Sequence, residues 1–254
     1  MKSVLVLLAG VLALGVGVAD AAIDTFNYAD GSLNAVAADW ERRGDKIDWT
    51  VASNAIEAPA GQVGSWYTPS GLGTGDQSAA VDITITQAYP AYSAGWHLVT
   101  LNQDKGSSGY YMNEQCYGLT IRAGQDMWIS RDDDNAVASP NNWSWGGNSS
   151  APQYSVLSPI LSVNVPYRAV LEKNGTVITG TVYQGATIIG QASFDESTHP
   201  GYTGPRTGGL AGIVKHNQNL TDWSSLDNYE YVPEPATMAM LGLGGLALMR
   251  RRRS

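Results

Sequence analysis

Two tryptophans, Trp143 and Trp145, stand two apart in the polar stretch SPNNWSWGGNSSAPQ (Ser139–Gln153), beside Asn141, Asn142 and Asn148. In an extended segment, residues i and i+2 point to the same side, so both indoles would share one face. Flat aromatic faces stack on sugar rings, while amide side chains take the surrounding hydroxyls. Tyr110 and Tyr111, directly after the loop-like GSSG, supply a second aromatic pair. Trp143, Trp145, Asn142, Tyr110 and Tyr111 are therefore the candidate carbohydrate-binding residues. A plainer reading stands beside this one: the two tryptophans pin a long loop to the fold. Trp49, Trp66, Trp96 and Trp128 lie in strand-like contexts that suit a core.

Other chemistries find little support. The three histidines, His97, His199 and His216, lack any metal-ligand spacing, and GSSG lacks the strand-turn-helix setting of a nucleophile elbow. Asp132 to Asn135 gather hard oxygen donors that suit calcium, but Ala136 and Val137 break the EF-hand pattern. The single cysteine, Cys116, excludes an intrachain disulfide and reads as a packed thiol. The whole chain carries a formal charge of −8. Without Lys2, Arg250–Arg253, Asp20 and Glu234, the body is more acidic, at about −11. Phosphate recognition needs a basic patch, so nucleic acid is not an expected partner.

The elements that must position these groups are short strands between turn signals. In AVDITITQA, Val81, Ile83 and Ile85 alternate with Asp82, Thr84 and Thr86, the period of a strand with one wet face. YGLTIRAG repeats it, with Leu119 and Ile121 inward and Thr120 and Arg122 outward. Asn174-Gly175 reads as a type I′ hairpin turn and Gln184-Gly185 as a second tight turn, so Tyr167–Phe194 forms a three-strand meander. Further strands are expected at 47–51, 66–68, 96–101, 127–131, 210–214 and 229–232. NAVAADWERRG (Asn34–Gly44) is the one helical candidate. About a dozen such strands without a repeat of fixed period predict a sandwich or barrel.

The order of DTFNYADGSL near the start, YRAVLEKNGTVITGTVYQG in the middle and GGLAGIV with SSLDNYEYV near the end resembles the concanavalin A-like, laminin-G-like jelly rolls of secreted bacterial proteins. The resemblance implies an all-β, two-sheet antiparallel jelly-roll sandwich with first and last strands side by side, and frequent glycan binding. It also implies a structural Ca²⁺ site near those strands, for which Asp24, Asp30 and Asp227 are the matching positions; a solvated Asp-rich turn is the alternative. Hydrolases of this kind set catalytic carboxylates at alternating positions of one strand as Glu-x-Asp. Here the residues two after each glutamate are Arg43, Pro59, Cys116, Asn174, Thr198, Val232 and Ala236. No catalytic residue is assigned, and the body is expected to be non-enzymatic.

The two ends read as addresses. Lys2, the apolar run Val4–Val18 and Ala19-Asp20-Ala21 form a signal peptide over residues 1–21, with cleavage after Ala21. The jelly roll then occupies 22–231. In 232–254, Pro233, Glu234 and Pro235 precede fourteen uncharged residues, Ala236–Met249, and then Arg250, Arg251, Arg252 and Arg253. Fourteen is short of the roughly 20 that span hydrocarbon, yet the arginine cluster suits the cytoplasmic side of a stop-transfer segment. This tail closely resembles the PEP-CTERM sorting signal of Gram-negative bacteria. The resemblance implies a transmembrane helix held transiently in the inner membrane, with exosortase and the secretion machinery as partners. It further implies cleavage near Pro233-Glu234-Pro235 and delivery to the cell surface or a biofilm matrix. The expected function is an exported protein that binds or organises polysaccharide. A purely structural matrix or adhesion protein is the alternative, and an unrecognised glycoside hydrolase is third.

Overall fold

The computed structural model describes residues 21–42, 47–58, 62–70, 75–86, 96–103, 116–122, 125–131, 152–216 and 224–233. In chain order the first strands are β1 (Ala22–Asp24), β2 (Gly31–Ser32), β3 (Trp40–Arg42), β4 (Thr50–Ala52), β5 (Ala55–Glu57), β6 (Gln62–Tyr67), β7 (Gln77–Ile85) and β8 (Trp96–Gln103). They are followed by β9 (Tyr117–Arg122), β10 (Asp126–Arg131), β11 (Tyr154–Val156), β12 (Pro166–Asn174), β13 (Val177–Gln184), β14 (Thr187–Asp195), β15 (Leu210–His216) and β16 (Ser224–Val232). All pairings between these strands are antiparallel. One sheet has nine strands in the order β14-β13-β12-β7-β16-β5-β4-β2, with β1 also on β16; the other has seven, β11-β10-β9-β8-β15-β6-β3. This is the expected two-sheet sandwich, and its first and last strands do lie side by side, with Ala22 opposite Tyr231.

The alternation in the sequence fills the space between the sheets. Val81, Ile83 and Ile85 of β7, Ala169 and Leu171 of β12, and Ile178 and Val182 of β13 are buried in one cluster with Leu119 and Ile121 of β9 and Met127 and Ile129 of β10. Burying such side chains contributes roughly 1.5–3 kcal/mol each. The sheets are also tied along one side, where Ser158 N–H donates to the Ile189 carbonyl (2.8 Å) and Ser193 N–H to that of Pro152 (3.3 Å). Those bonds occupy part of the open edge of β14, which would otherwise offer itself to another strand.

Local structure departs from expectation at three points. The meander is present, but its turns lie one residue later than expected. Asn174 pairs with Val177 and Gln184 with Thr187, leaving Gly175-Thr176 and Gly185-Ala186 as the loops. Only the glycines take positive φ, 58° and 57°. A glycine at the first central position with ordinary φ at the second makes the turn type II′, not I′. The I′ signature instead falls at Ser53-Asn54, between β4 and β5, where both φ values are positive. The helical candidate at 34–44 shrinks to one turn, α1 (Leu33–Val36), because Ala37 is extended and the chain enters the seven-stranded sheet as β3. Burial of Trp40 against Phe26, Tyr67 and Tyr229 is what the extended backbone achieves there. Finally, Trp49 joins the core, whereas Trp128 lies on the face of β10 opposite Met127 and Ile129 and is buried there. Cys116 is a buried thiol outside any disulfide.

Gly180 shows how closely the sheets approach. A Cβ at this position would lie 2.6 Å from Ile129 Cγ2, 2.9 Å from Leu119 Cδ1 and 3.2 Å from Met127 Cε on the facing sheet. Gly180→Ala is therefore expected to lower unfolding stability by about 1–3 kcal/mol, measured by urea denaturation; an unchanged midpoint would mean that the facing side chains give way freely.

Candidate functional site

One end of the sandwich carries a buried polar network that joins the two sheets. Its centre is Glu196, which begins a single 3-10 turn (Glu196–Thr198) just past β14. The preceding Asp195 stays at the surface and accepts the N–H (3.0 Å) and hydroxyl (2.7 Å) of Ser197. These hydrogen bonds, the hydroxyl's foremost, hold its carboxyl below the usual range. Glu196 points inward and is 0% exposed. Its carboxylate accepts from the Tyr117 hydroxyl (2.8 and 2.9 Å to its two oxygens) and from Arg131 Nη1 (2.6 Å). Thus a residue at the end of the nine-stranded sheet is bonded to β9 and β10 of the seven-stranded one.

The network continues outward. Arg131 also donates to the Gly204 carbonyl (2.8 Å) and lies over the rings of Tyr117 and Tyr202. The Tyr117 hydroxyl accepts Arg206 N–H (2.7 Å), and Arg206 Nε reaches the Asn102 carbonyl (2.8 Å). Asn102 donates to the Gly208 carbonyl and accepts from Gln77, which in turn accepts the Tyr231 hydroxyl at 3.3 Å. Burial pushes the Glu196 carboxyl up, against the opposing pull of Tyr117, Arg131 and Lys173. Burial and the Glu196 charge likewise push the Tyr117 phenol far up, so it stays a donor. Being fully buried and bonded to two side chains, Glu196 could meet a substrate only if this packing opened.

The same end is where the chain leaves the seven-stranded sheet for its longest connections. Segment 104–115 runs between β8 and β9, and segment 132–151 between β10 and β11. Leu101 pairs with Tyr117, and Tyr117 with Arg131, so both segments depart from neighbouring strand ends. The connection 199–209 arrives beside them, because Leu210 pairs with Gln103. Tyr110, Tyr111, Asn142, Trp143 and Trp145 all belong to these segments and lie outside the described residues, as do Glu234, Pro235 and Arg250–Arg253.

The acids matched to calcium are placed differently. Asp24 is buried, and its carboxylate accepts Phe26 N–H (2.8 Å), the Tyr28 hydroxyl (2.9 Å) and Trp40 Nε1 (2.6 Å). Three donors already satisfy it as an anchor for β1. Asp30 is exposed and accepts Ser53 N–H at 3.2 Å. Asp227 lies opposite Asp82 on β7 and accepts Asn228 N–H at 2.7 Å. Partial burial, then Asp82 and Asp24, push its carboxyl up. Among the described residues no group of three His, Cys, Asp or Glu side chains is gathered as metal ligands. The three acids as placed do not form one calcium centre. On the outer face beside them, Arg168 bridges Asp82 (2.8 Å) and Glu230.

Residues 232–253 match the PEP-CTERM protein-sorting motif. The chain carries a PEP-CTERM sorting signal. Such a signal marks an exported chain, anchored transiently in the membrane and processed by an exosortase. Its apolar run lies outside the described residues; among those described, no helix is long and apolar enough to cross a membrane. A search of curated proteins finds no match. Among solved structures, the body is similar to the exoplasmic/lumenal domain of VIP36 in its metal-free form (TM-score 0.56, 8% identity, 84% of this chain and 91% of that chain). It is also similar to the Ca²⁺/Man-bound form of that domain (TM-score 0.52, 9% identity, 77% and 83%). The potassium-bound carbohydrate recognition domain of Emp46p is a third (TM-score 0.53, 10% identity, 82% and 94%). At these identities the likeness establishes the fold, a lectin-like, concanavalin A-like jelly roll.

Adjacent strand residues face opposite sides, so one of Asp195 and Glu196 was free to pair with something distant; which one turns inward, and its partners Arg131 and Tyr117, 65 and 79 residues away, had no signal in the chain. Both ends of the ion pair are buried, with side-chain exposures of 4% and 0%. Removing one partner of such a pair costs about 3–5 kcal/mol. Glu196→Gln is expected to destabilise the body by that amount in urea denaturation, and Glu196→Leu combined with Arg131→Met by less than the two single losses together. Wild-type stability in Glu196→Gln would show that the charge is not structural.

Proposed function

We propose that the body is a non-catalytic glycan-binding module, delivered by its C-terminal signal to the cell surface or exopolymer matrix. The observation that carries this reading is the convergence of strand ends. The two segments that hold Tyr110, Tyr111, Asn142, Trp143 and Trp145 spring from adjacent strands, beside the connection that carries Tyr202, over a rigid buried base. Aromatic groups brought to one end of a sandwich, with amides among them, suit stacking on sugar rings. The neighbours add support, since one VIP36 structure is a mannose-bound form and the Emp46p domain is a carbohydrate recognition domain. In the described part of the site the one deeply buried acid is bonded as a structural group, which favours binding over hydrolysis.

A polysaccharide panel that includes the host's own exopolymer tests this. The body is expected to be retained on at least one polymer without releasing reducing sugar. Trp143→Ala with Trp145→Ala is expected to weaken retention about thirtyfold, the equivalent of losing ~2 kcal/mol at a stacking hot spot. No retention on any polymer would end the binding reading, and unchanged retention in the double variant would move the site.

The calcium reading narrows to Asp227. It lies opposite Asp82, whose own oxygens are taken by Arg168 and the Asn228 amide, so a divalent cation would rest on the Asp227 carboxylate and relieve the repulsion that remains. Ca²⁺ is then expected to raise the melting temperature of the wild type over that in chelator, and to leave Asp227→Asn unchanged. A rise that survives in Asp227→Asn places the cation elsewhere, and no rise in the wild type removes it.

A further inference from the structure

The connection 199–209 carries an aromatic side chain that the buried network orients without depending on it. Tyr202 N–H donates to the His199 carbonyl at 3.1 Å, closing a tight turn over His199-Pro200-Gly201-Tyr202. Proline at the second position and a glycine with φ of 88° at the third are the signature of a type II turn. The backbone that delivers Tyr202 is therefore restricted. Just beyond it, the Gly204 carbonyl accepts Arg131, and Arg206 N–H donates to the Tyr117 hydroxyl. These main-chain bonds fix the connection, so the Tyr202 ring is not needed as its pin.

The ring is nevertheless held. The Arg131 guanidinium lies over it, 6.0 Å from the centroid. Arg131 is 4% exposed, whereas Tyr202 is only half-buried, so the cation backs the inner side of the ring. Glu196 and the Gly204 carbonyl keep Arg131 from moving. A cation over an aromatic face favours one ring orientation. A flat partner stacking on Tyr202 would then meet a surface that is already ordered, and binding would cost less side-chain entropy.

A surface carboxylate stands near this ring. Burial first, then the Glu196 charge, push the Tyr202 phenol up; Arg131 opposes them and Asp195 adds to them. The phenol thus stays protonated, both donor and acceptor. The Asp195 carboxylate accepts the N–H and hydroxyl of Ser197 and the hydroxyl of Thr176. A carboxylate offers about four acceptor positions. One is left, and the bonds at the others fix its direction.

We propose that Tyr202 and Asp195 form a subsite for one neutral sugar residue of a polysaccharide. The Tyr202 ring stacks on the C–H face of the sugar, with Arg131 as its positioning residue, and the remaining acceptor position of Asp195 takes a sugar hydroxyl. The subsite disfavours a uronate, whose carboxylate would stand beside that of Asp195 on a body that is already acidic. The inference deepens the glycan-binding reading and rests on it.

The test measures binding of the full chain, in a detergent without a sugar headgroup, to immobilised glucan, mannan, galactan and a polyuronate. The wild type is expected to bind a neutral polymer, and the polyuronate about tenfold more weakly at low salt. Tyr202→Ala is expected to weaken neutral binding about tenfold, and Tyr202→Phe, which keeps the ring, by less than about threefold. Asp195→Asn retains a capping oxygen for Ser197. It is expected to bring the neutral and uronate affinities together, a change of preference that loss of a structural group alone would not produce. Wild-type binding in Tyr202→Ala, an unchanged preference in Asp195→Asn, or a wild type that prefers the polyuronate overturns the subsite. If neutral binding survives in Tyr202→Ala but is lost in Trp143→Ala with Trp145→Ala, the subsite is overturned and the glycan-binding reading stands. A wild type that binds none of the four polymers overturns both.

Discussion

The carboxylate of Glu196 is the point on which the organised end of this domain depends. Hydrophobic packing holds the two sheets together along their faces, but it has no direction and cannot fix how one end closes. A buried charge can, because it is tolerated only where its donors are in place. Glu196, at the end of the nine-stranded sheet, finds those donors on Tyr117 and Arg131 of the seven-stranded one. Arg131 then fixes Gly204, and Tyr117 fixes Arg206, so the 199–209 connection is drawn over the same end. The strand ends from which segments 104–115 and 132–151 depart are thereby held to each other and to that connection.

This arrangement gives one end of the sandwich a rigid base, from whose strand ends segments 104–115 and 132–151 depart. Lectin-like sandwiches of unrelated sequence share such a scaffold, and function on it is decided by groups set at its ends and faces. Here the base uses its polar residues for structure. Its acid, arginines and phenol are bonded to one another or to main-chain carbonyls.

A second constraint runs along β16. This strand pairs with β7, β5 and β1, so it joins the centre of the nine-stranded sheet to the first described strand. Both ends of the body therefore meet on one pair of strands, and the processing motif abuts the fold without a linker.

Much of the architecture was legible in the chain because it rests on local rules. Val81, Ile83 and Ile85, and Leu119 and Ile121, announced their strands and their inward faces by period alone, and the Pro-Glu-Pro, apolar and arginine elements of the tail are contiguous. Turn type was less legible: Gly175 and Gly185 set their loops one residue later than the dipeptide signal suggests, because strand register, not the dipeptide, chooses which residues are central. Trp128 misled in the same way, since a strand has two faces and its neighbours Met127 and Ile129 took the core side. Trp40 reversed a helical pattern because its indole had a carboxylate to reach in Asp24, sixteen residues earlier. The meeting of Glu196 with Arg131 and Tyr117, the adjacency of the strand ends from which segments 104–115 and 132–151 depart, and the separate partners of Asp24, Asp30 and Asp227 could come only from the tertiary structure. The sequence by itself determined strands, a sandwich and an exported destination, because alternation, turn residues and a contiguous tail act over a few neighbours. Which side chains meet at the end of that sandwich was decided by pairings between strands far apart in the chain.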